Sequence, residues 1–294
     1  MTNPAHIQAF FDEATFTVTY LVGDPATKKA AVIDPVLDFD PASGRLSTGS
    51  AEALLSAAEA GGWTITRVLE THAHADHLSA APLIKARTGA RVGIGAHIDA
   101  VQKVFAGLFN APDVSGAGAE FDDLFGDGET FAVGELVFEV LHTPGHTPAC
   151  VSYRVGDAVF VGDTLFMPDY GTARADFPGG DAAALYRSIR RILALPPETR
   201  LFMCHDYKAP GRDHYAWETT VADERAKNVH IHDGITEADF VQMRQERDKG
   251  LAAPRLLLPS VQVNIRAGHL PPVEDNGARY LKLPLRLPEA ADWA

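Results

Sequence analysis

The chain has 294 residues, 46% of them apolar, and its 26 basic against 39 acidic side chains leave a formal net charge of -13. That length and apolar share are enough for a sizeable core and argue against a largely disordered chain. The acidic balance argues against a general nucleic-acid or anionic-membrane binder, because each needs a basic face.

In chain order, Phe16 to Val22 and Lys29 to Ile33 are rich in β-formers and flank Gly23-Asp24-Pro25, which predicts a hairpin. Ala51 to Ala60 has helical composition and stops at Gly61-Gly62, and Ile65 to Glu70 returns to strand character. A histidine-rich string follows, and then Leu78 to Thr88 reads as a helix ending at Gly89. Residues 100–127 crowd Asn110, Pro112, Gly116 and Gly118 together, which predicts an irregular surface excursion. Glu135 to Leu141 and Cys150 to Val155 read as strands, as does Ala158 to Val161. Ala182 to Leu195 reads as a helix halted by Pro196-Pro197, and Leu201 to Cys204 as a short strand. The tail offers a helix, Glu237 to Lys249, and an alternating strand, Tyr280 to Leu285. Hairpins followed by strands alternating with helices predict an α/β fold, two sheets face to face with helices outside. One domain is expected over residues 1–294, with its core at about 14–232 and an extension, about 233–294, packed on it.

Residues of metal-ligand type fall in four clusters, each after a predicted strand: His72-Ala73-His74-Ala75-Asp76-His77, then His146, Asp163 and His205. Strand ends that converge on one sheet edge would bring five imidazoles and two carboxylates together, a set suited to a transition metal. In an extended segment alternate side chains share a face, so His72, His74 and Asp76 point one way while His77 begins the helix. The spacing serves one metal or two. Asp76 alone would read as a helix N-cap, and a single histidine as a satisfied core residue. His146 stands in Thr143-Pro144-Gly145-His146-Thr147, where Pro and Gly present the imidazole from a stiff turn. Asp163 closes a strand of Val and Phe, where a buried carboxylate needs a compensating cation. His205 follows Leu-Phe-Met-Cys in the same manner.

His6, His97, His142, His214, His230, His232 and His269 lack such clustering and are left unassigned. Cys150 and Cys204 read as inert buried thiols. Two cysteines are too few for a disulfide-stapled scaffold and fit a reducing compartment. Residues 1–13 lack a signal-peptide or transit-peptide pattern, and no apolar run approaches the roughly 20 residues of a bilayer span. A soluble, cytoplasmic location is expected, with homo-oligomerisation left open.

Thr71-His72-Ala73-His74-Ala75-Asp76-His77 resembles the HxHxDH signature of the metallo-β-lactamase superfamily, and His146, Asp163 and His205 match its later motifs in order over roughly residues 14 to 210. The resemblance implies an αββα sandwich with the metal site at one edge of the two sheets. It also implies one metal position at His72, His74 and His146, a second at Asp76, His77 and His205, and Asp163 bridging. Gly162-Asp163-Thr164-Leu165-Phe166 and Arg174-Ala175-Asp176-Phe177 are similar to glutathione-handling members, the glyoxalase II hydrolases and the persulfide dioxygenases. Arg-x-Asp-Phe, and Thr219 to Arg225 after His205-Asp206-Tyr207, resemble the dioxygenases more.

That branch implies a single Fe(II) per chain on His72, His146 and Asp163, a facial triad with open positions. His74, Asp76, His77 and His205 would then orient ligands or hold a second metal. The expected reaction oxidises glutathione persulfide with O2 and water to sulfite and glutathione. The alternative is a thioester hydrolase with a binuclear zinc or mixed-metal site, and a non-catalytic metal-binding module is the rival from another class. Glutathione carries two carboxylates, so Arg174, Tyr207, Lys208 and Arg212, which follow the Asp163 and His205 ligands, are the candidate substrate contacts.

Overall fold

Turn residues and β-formers set the first strands. In the computed structural model, which describes residues 4–285 and 287, β1 (His6–Asp12), β2 (Thr17–Gly23) and β3 (Lys29–Ile33) form an antiparallel meander. β4 (Val36–Asp40) and β5 (Arg45–Ser47) make a side hairpin, and α1 (Gly49–Ala60) then crosses over to β6 (Thr64–Leu69), parallel to β3. β7 (Leu78–Ser79) joins β4, and α2 (Ala81–Thr88) leads to β8 (Arg91–Gly95). α3 (Ile98–Phe109) leads on to β9 (Asp123–Phe125), and the first sheet has the order β1-β2-β3-β6-β8-β9.

The second sheet begins with four successive antiparallel strands, β10 (Thr130–Val133), β11 (Leu136–His142), β12 (Val151–Val155) and β13 (Ala158–Phe160). α4 (Ala182–Leu193) carries the chain over to β14 (Arg200–Phe202), parallel to β13, and β15 (Glu218–Thr220) closes the edge. Three helices follow, α5 (Val221–Lys227), α6 (Glu237–Asp248) and α7 (Leu257–Asn264).

The two mixed sheets face one another across Val18, Tyr20, Ile33, Phe138, Tyr153 and Phe160, all buried. Each such side chain contributes about 1.5–3 kcal/mol relative to exposure. The Tyr20 hydroxyl donates to the Met203 carbonyl at 2.6 Å, so its polar end is satisfied inside the sandwich. Outside the first sheet, Leu54, Ile84, Val101 and Phe105 anchor α1, α2 and α3. Outside the second, Leu185, Ile189 and Phe240 anchor α4 and α6. The layers are therefore α, β, β and α.

The structure corrects three expectations. Residues 98–109 form a helix that runs into the stretch read as irregular, because Ile98, Val101, Phe105 and Phe109 bury one face at helical spacing. The Gly- and Pro-rich residues that prompted the loop reading come only after Asn110, whose left-handed φ of 46° ends that helix. The helix read over Leu78 to Thr88 starts at Ala81, since Leu78 and Ser79 pair with β4, so His77 precedes a short strand instead of opening a helix. Tyr280 to Leu285 joins no sheet, and its alternating Leu283 and Leu285 are 67% and 77% exposed. Alternation alone provides no partner strand.

α5 carries a buried carboxyl away from the ligand clusters. Asn228 Nδ2 donates to Glu224 Oε2, while Oε1 has no partner. Burial pushes this carboxyl up to about 8 from the ordinary 4.5, so the folded chain holds it neutral at pH values where the unfolded chain ionises it. Its contribution to stability is complete below pH 4.5 and is lost as pH rises through about 8. Glu224→Gln, which stays neutral, is expected to melt a few degrees above wild type at pH 8.5 and close to it at pH 5. A pH-independent difference in melting temperature would contradict this.

Candidate metal centre

The four ligand clusters occupy connections after successive strands: residues 72–77 after β6, His146 between β11 and β12, Asp163 after β13, and His205 after β14. The turn before His146 depends on glycine. Gly145 has φ 138°, and a Cβ there would lie 2.3 Å from the Leu185 backbone of α4.

The hydrogen bonds of the imidazoles orient their lone pairs inward. Thr71 Oγ1 donates to Asp34 Oδ2 at 2.8 Å, so it accepts from His72 Nδ1–H at 3.1 Å and leaves His72 Nε2 as the ligand atom. His74 Nε2–H donates to Asp34 Oδ1 at 2.9 Å and leaves Nδ1 free. His146 Nδ1–H donates to the Arg174 carbonyl at 2.8 Å, and His205 Nδ1–H to the Phe16 carbonyl at 3.1 Å. Their Nε2 atoms approach Asp163 Oδ2 at 3.7 Å and Asp163 Oδ1 at 3.4 Å. Thr17 Oγ1 stands 3.2 Å from Asp76 Oδ2 and 3.3 Å from His77 Nδ1.

Charge follows burial. His72 and His74 are held well below the ordinary imidazole value by burial and by neighbouring imidazoles, which keeps them in the neutral, ligating form. For His205 burial acts downward, but the Asp76 and Asp163 carboxylates, with the Phe16 carbonyl and Asp34, raise the value above the ordinary one. Positive charge is thus favoured between those carboxylates.

A metal fits this arrangement. His72 Nε2, His74 Nδ1, His77 Nε2, Asp163 Oδ1 and His205 Nε2 are buried without hydrogen-bond partners. Each such orphan costs about 1–3 kcal/mol unless something completes it. The ligand atoms of His72, His146 and Asp163 lie within 4.8 Å of one another, and so do those of His74, Asp76 and His77. The His74 ring stands between the two groups, with its centroid 4.0 Å from that of His72 and 4.1 Å from that of His77. Two imidazoles with one carboxylate are a donor set for iron or zinc.

A cavity of about 550 Å³ opens onto Asp76, His146 and Asp163. Phe16, Phe166, Tyr170 and Tyr207 form an aromatic wall, and Arg174, Arg244, Arg247 and Arg255 bring positive charge. Of the candidate substrate contacts, Tyr207 and Arg174 line this cavity, whereas Lys208 and Arg212 do not. The Arg174 guanidinium is engaged by Asp176 at 2.5 Å and the Ala252 carbonyl at 2.7 Å. Arg212 pairs with Asp206 at 2.6 Å and Asp169 at 2.7 Å, and the Lys208 ammonium sits 4.3 Å over the Tyr215 ring. Burial pushes the Cys150 thiol up to about 12, consistent with an inert side chain.

Sequence reasoning missed Asp34, Thr17 and the tail arginines. Asp34 closes a strand of Ala, Val and Ile, the same signal that singles out Asp163. Thr17 carries no comparable signal, and Arg244, Arg247 and Arg255 reach the cavity from a segment far from any ligand.

A probable metallo-hydrolase of Burkholderia pseudomallei is 56% identical over 95% of this chain and 98% of its own length. Glyoxylase B2 of Dictyostelium discoideum is 46% identical, covering 97% and 98% respectively. Human mitochondrial persulfide dioxygenase ETHE1 is 29% identical over 90% of this chain and 89% of its own. The crystal structure of ETHE1 from Myxococcus xanthus superposes with a TM-score of 0.72 at 33% identity, covering 90% of this chain and 100% of that one. Among the described residues no helix is long and apolar enough to cross a membrane. The Metallo-beta-lactamase superfamily model matches residues 13–205, the stretch that holds β2 to β14 and every clustered ligand, and the chain belongs to that superfamily.

Proposed function

We propose that this protein is a glutathione-dependent persulfide dioxygenase with one Fe(II) held by His72, His146 and Asp163. The observation that carries the reading is the convergence of these three side chains, all buried, on one point beside the cavity. The likeness to a persulfide dioxygenase over nine-tenths of the chain supports it. Iron held by these two imidazoles and one carboxylate would supply the oxygen chemistry. The net reaction combines the persulfide, O2 and water to give sulfite and glutathione.

The chain's own residues hold and orient. Asp34, acting through Thr71, keeps the His72 lone pair on the site, and the Arg174 carbonyl does the same for His146. Arg247 and Arg255 offer charge for the glutathione carboxylates, and the Tyr207 hydroxyl can donate to them. His230 accepts the Thr172 N–H at Nδ1, and burial with Arg244 and Arg247 nearby lowers its pKa to about 4, so it faces the cavity as a neutral ring.

A thioester hydrolase with two metals is the second reading. It is favoured by the His74, Asp76 and His77 group and by the unpartnered Nε2 of His205, together with the likeness to a glyoxylase. Metal analysis of anaerobically purified protein, run beside O2 uptake on glutathione persulfide and a glutathione-thioester hydrolysis assay, separates the two. One iron per chain with O2 uptake and sulfite release is expected; two zinc ions with fast thioester cleavage and no O2 uptake would overturn the dioxygenase.

A further inference from the structure

We propose that residues 244–264, which lie beyond the family-matched stretch, are a working part of the metal centre. In this role Asn264 and the Arg244–Asp248 pair are positioning residues for ligands on two separate loops. The inference rests on the reading that the clustered side chains bind a metal.

The histidine-rich string runs between β6 and β7 without a ladder partner, so its backbone groups need other partners. Asn264, at the end of α7 and 4% exposed, supplies them. Its Nδ2 donates to the His74 carbonyl at 2.9 Å and to the His77 carbonyl at 2.8 Å, and its Oδ1 accepts the Ser79 N–H at 2.9 Å. Both N–H bonds and the oxygen of this amide are therefore spent on the loop that presents His74, Asp76 and His77. A side chain of the same size without that donor pattern would leave two carbonyls buried and the loop free to turn its imidazoles.

The second brace acts on His146. The ring donates to the Arg174 carbonyl, and the peptide that carries this carbonyl, together with the one two residues before it, is tied to α6. Asp248 Oδ2 accepts the Ala175 N–H at 2.9 Å, and Arg244 Nη1 donates to the Thr172 carbonyl at 3.2 Å. Arg244 and Asp248 pair with each other at 2.8 Å, and both are buried. A buried ion pair is a poor stabiliser against apolar residues of similar volume, because desolvation offsets its attraction. Its placement is explained by the loop it holds: it fixes the acceptor that orients a ligand imidazole. Outer partners of this kind typically change metal affinity by about 10–100-fold.

The test is a titration of the metal-free protein with Co(II), followed by visible absorption, beside thermal melting of the same metal-free samples. Asn264→Ala and Asp248→Ala are expected to bind Co(II) about 10–100-fold more weakly, with altered absorption bands, while still melting cooperatively. Asp248→Asn, which keeps an acceptor for the Ala175 N–H, is expected to recover part of the affinity. Wild-type affinity and spectrum in the folded variants would overturn the inference. If Asn264→Ala does not fold, the Asp248→Ala and Asp248→Asn comparison decides it alone. Failure of the wild-type protein to bind Co(II) would instead overturn the metal reading itself.

Discussion

Asp163→Ala is expected to abolish stable metal binding and to lower kcat/KM by at least about 1,000-fold, a loss of about 4 kcal/mol in transition-state stabilisation. Asp163 is the carboxylate shared by the site: Oδ2 lies 3.9 Å from His72 Nε2 and 3.7 Å from His146 Nε2, and Oδ1 lies 3.4 Å from His205 Nε2. Its removal takes away the carboxylate of the His72, His146 and Asp163 group and leaves two imidazoles, which hold a divalent cation far less well. The metal-free variant should fold at least as well as metal-free wild type, because Asp163 Oδ1 has no hydrogen-bond partner to lose. Metal per chain after exhaustive dialysis, with melting of the metal-free form, checks both halves. Full metal occupancy in the variant would contradict the role given to this carboxylate.

Asp34→Ala is expected to act in the opposite way, destabilising the metal-free fold by about 3–5 kcal/mol. Asp34 accepts from Thr71 N at 2.7 Å, Thr71 Oγ1 at 2.8 Å and His74 Nε2 at 2.9 Å, and all these residues are buried. Burial pushes its carboxyl up, against the pull of nearby imidazoles, so the hydrogen bonds are what make its presence tolerable. Its φ of 50° is also a conformation that Asp accepts more readily than Ala. The loss would further free the His72 and His74 rings to change tautomer, weakening metal binding as well. Thermal unfolding of metal-free Asp34→Ala should fall by about 10 °C, on the usual scaling of a few degrees per kcal/mol. A melting temperature equal to that of wild type would show that Asp34 is not the support described above.

The contrast between these two aspartates shows how far the sequence could be read. Asp163 was legible because it shares its strand-end position with three histidine clusters, whereas Asp34 stands at a similar strand end with no histidine beside it. The sandwich was legible from β-formers and turns at β2, β3 and β11 to β13, where local propensity and burial agree. α3 was missed because the glycines and proline beyond Asn110 were read together with the amphipathic stretch before it. The Tyr280 to Leu285 strand was misread because alternation is a local property, while a ladder needs a neighbouring edge. Proximity to the ligands in sequence singles out Lys208 and Arg212, yet both are engaged elsewhere, and Arg244, Arg247 and Arg255 reach the cavity through tertiary folding.

Thr17 and His205 form an antiparallel bridge, and the Thr17 hydroxyl lies 3.4 Å from the His205 ring across a separation of 188 residues. During synthesis the histidine-rich string leaves the ribosome long before β14 and His205 exist, so the nascent chain carries a loose chelating segment with no fixed geometry. Long-range closures of this kind form late and slowly. Metal choice by coordination geometry is therefore a property of the finished chain, and any ion captured earlier is selected by the affinity of the unconstrained imidazoles and the Asp76 carboxylate.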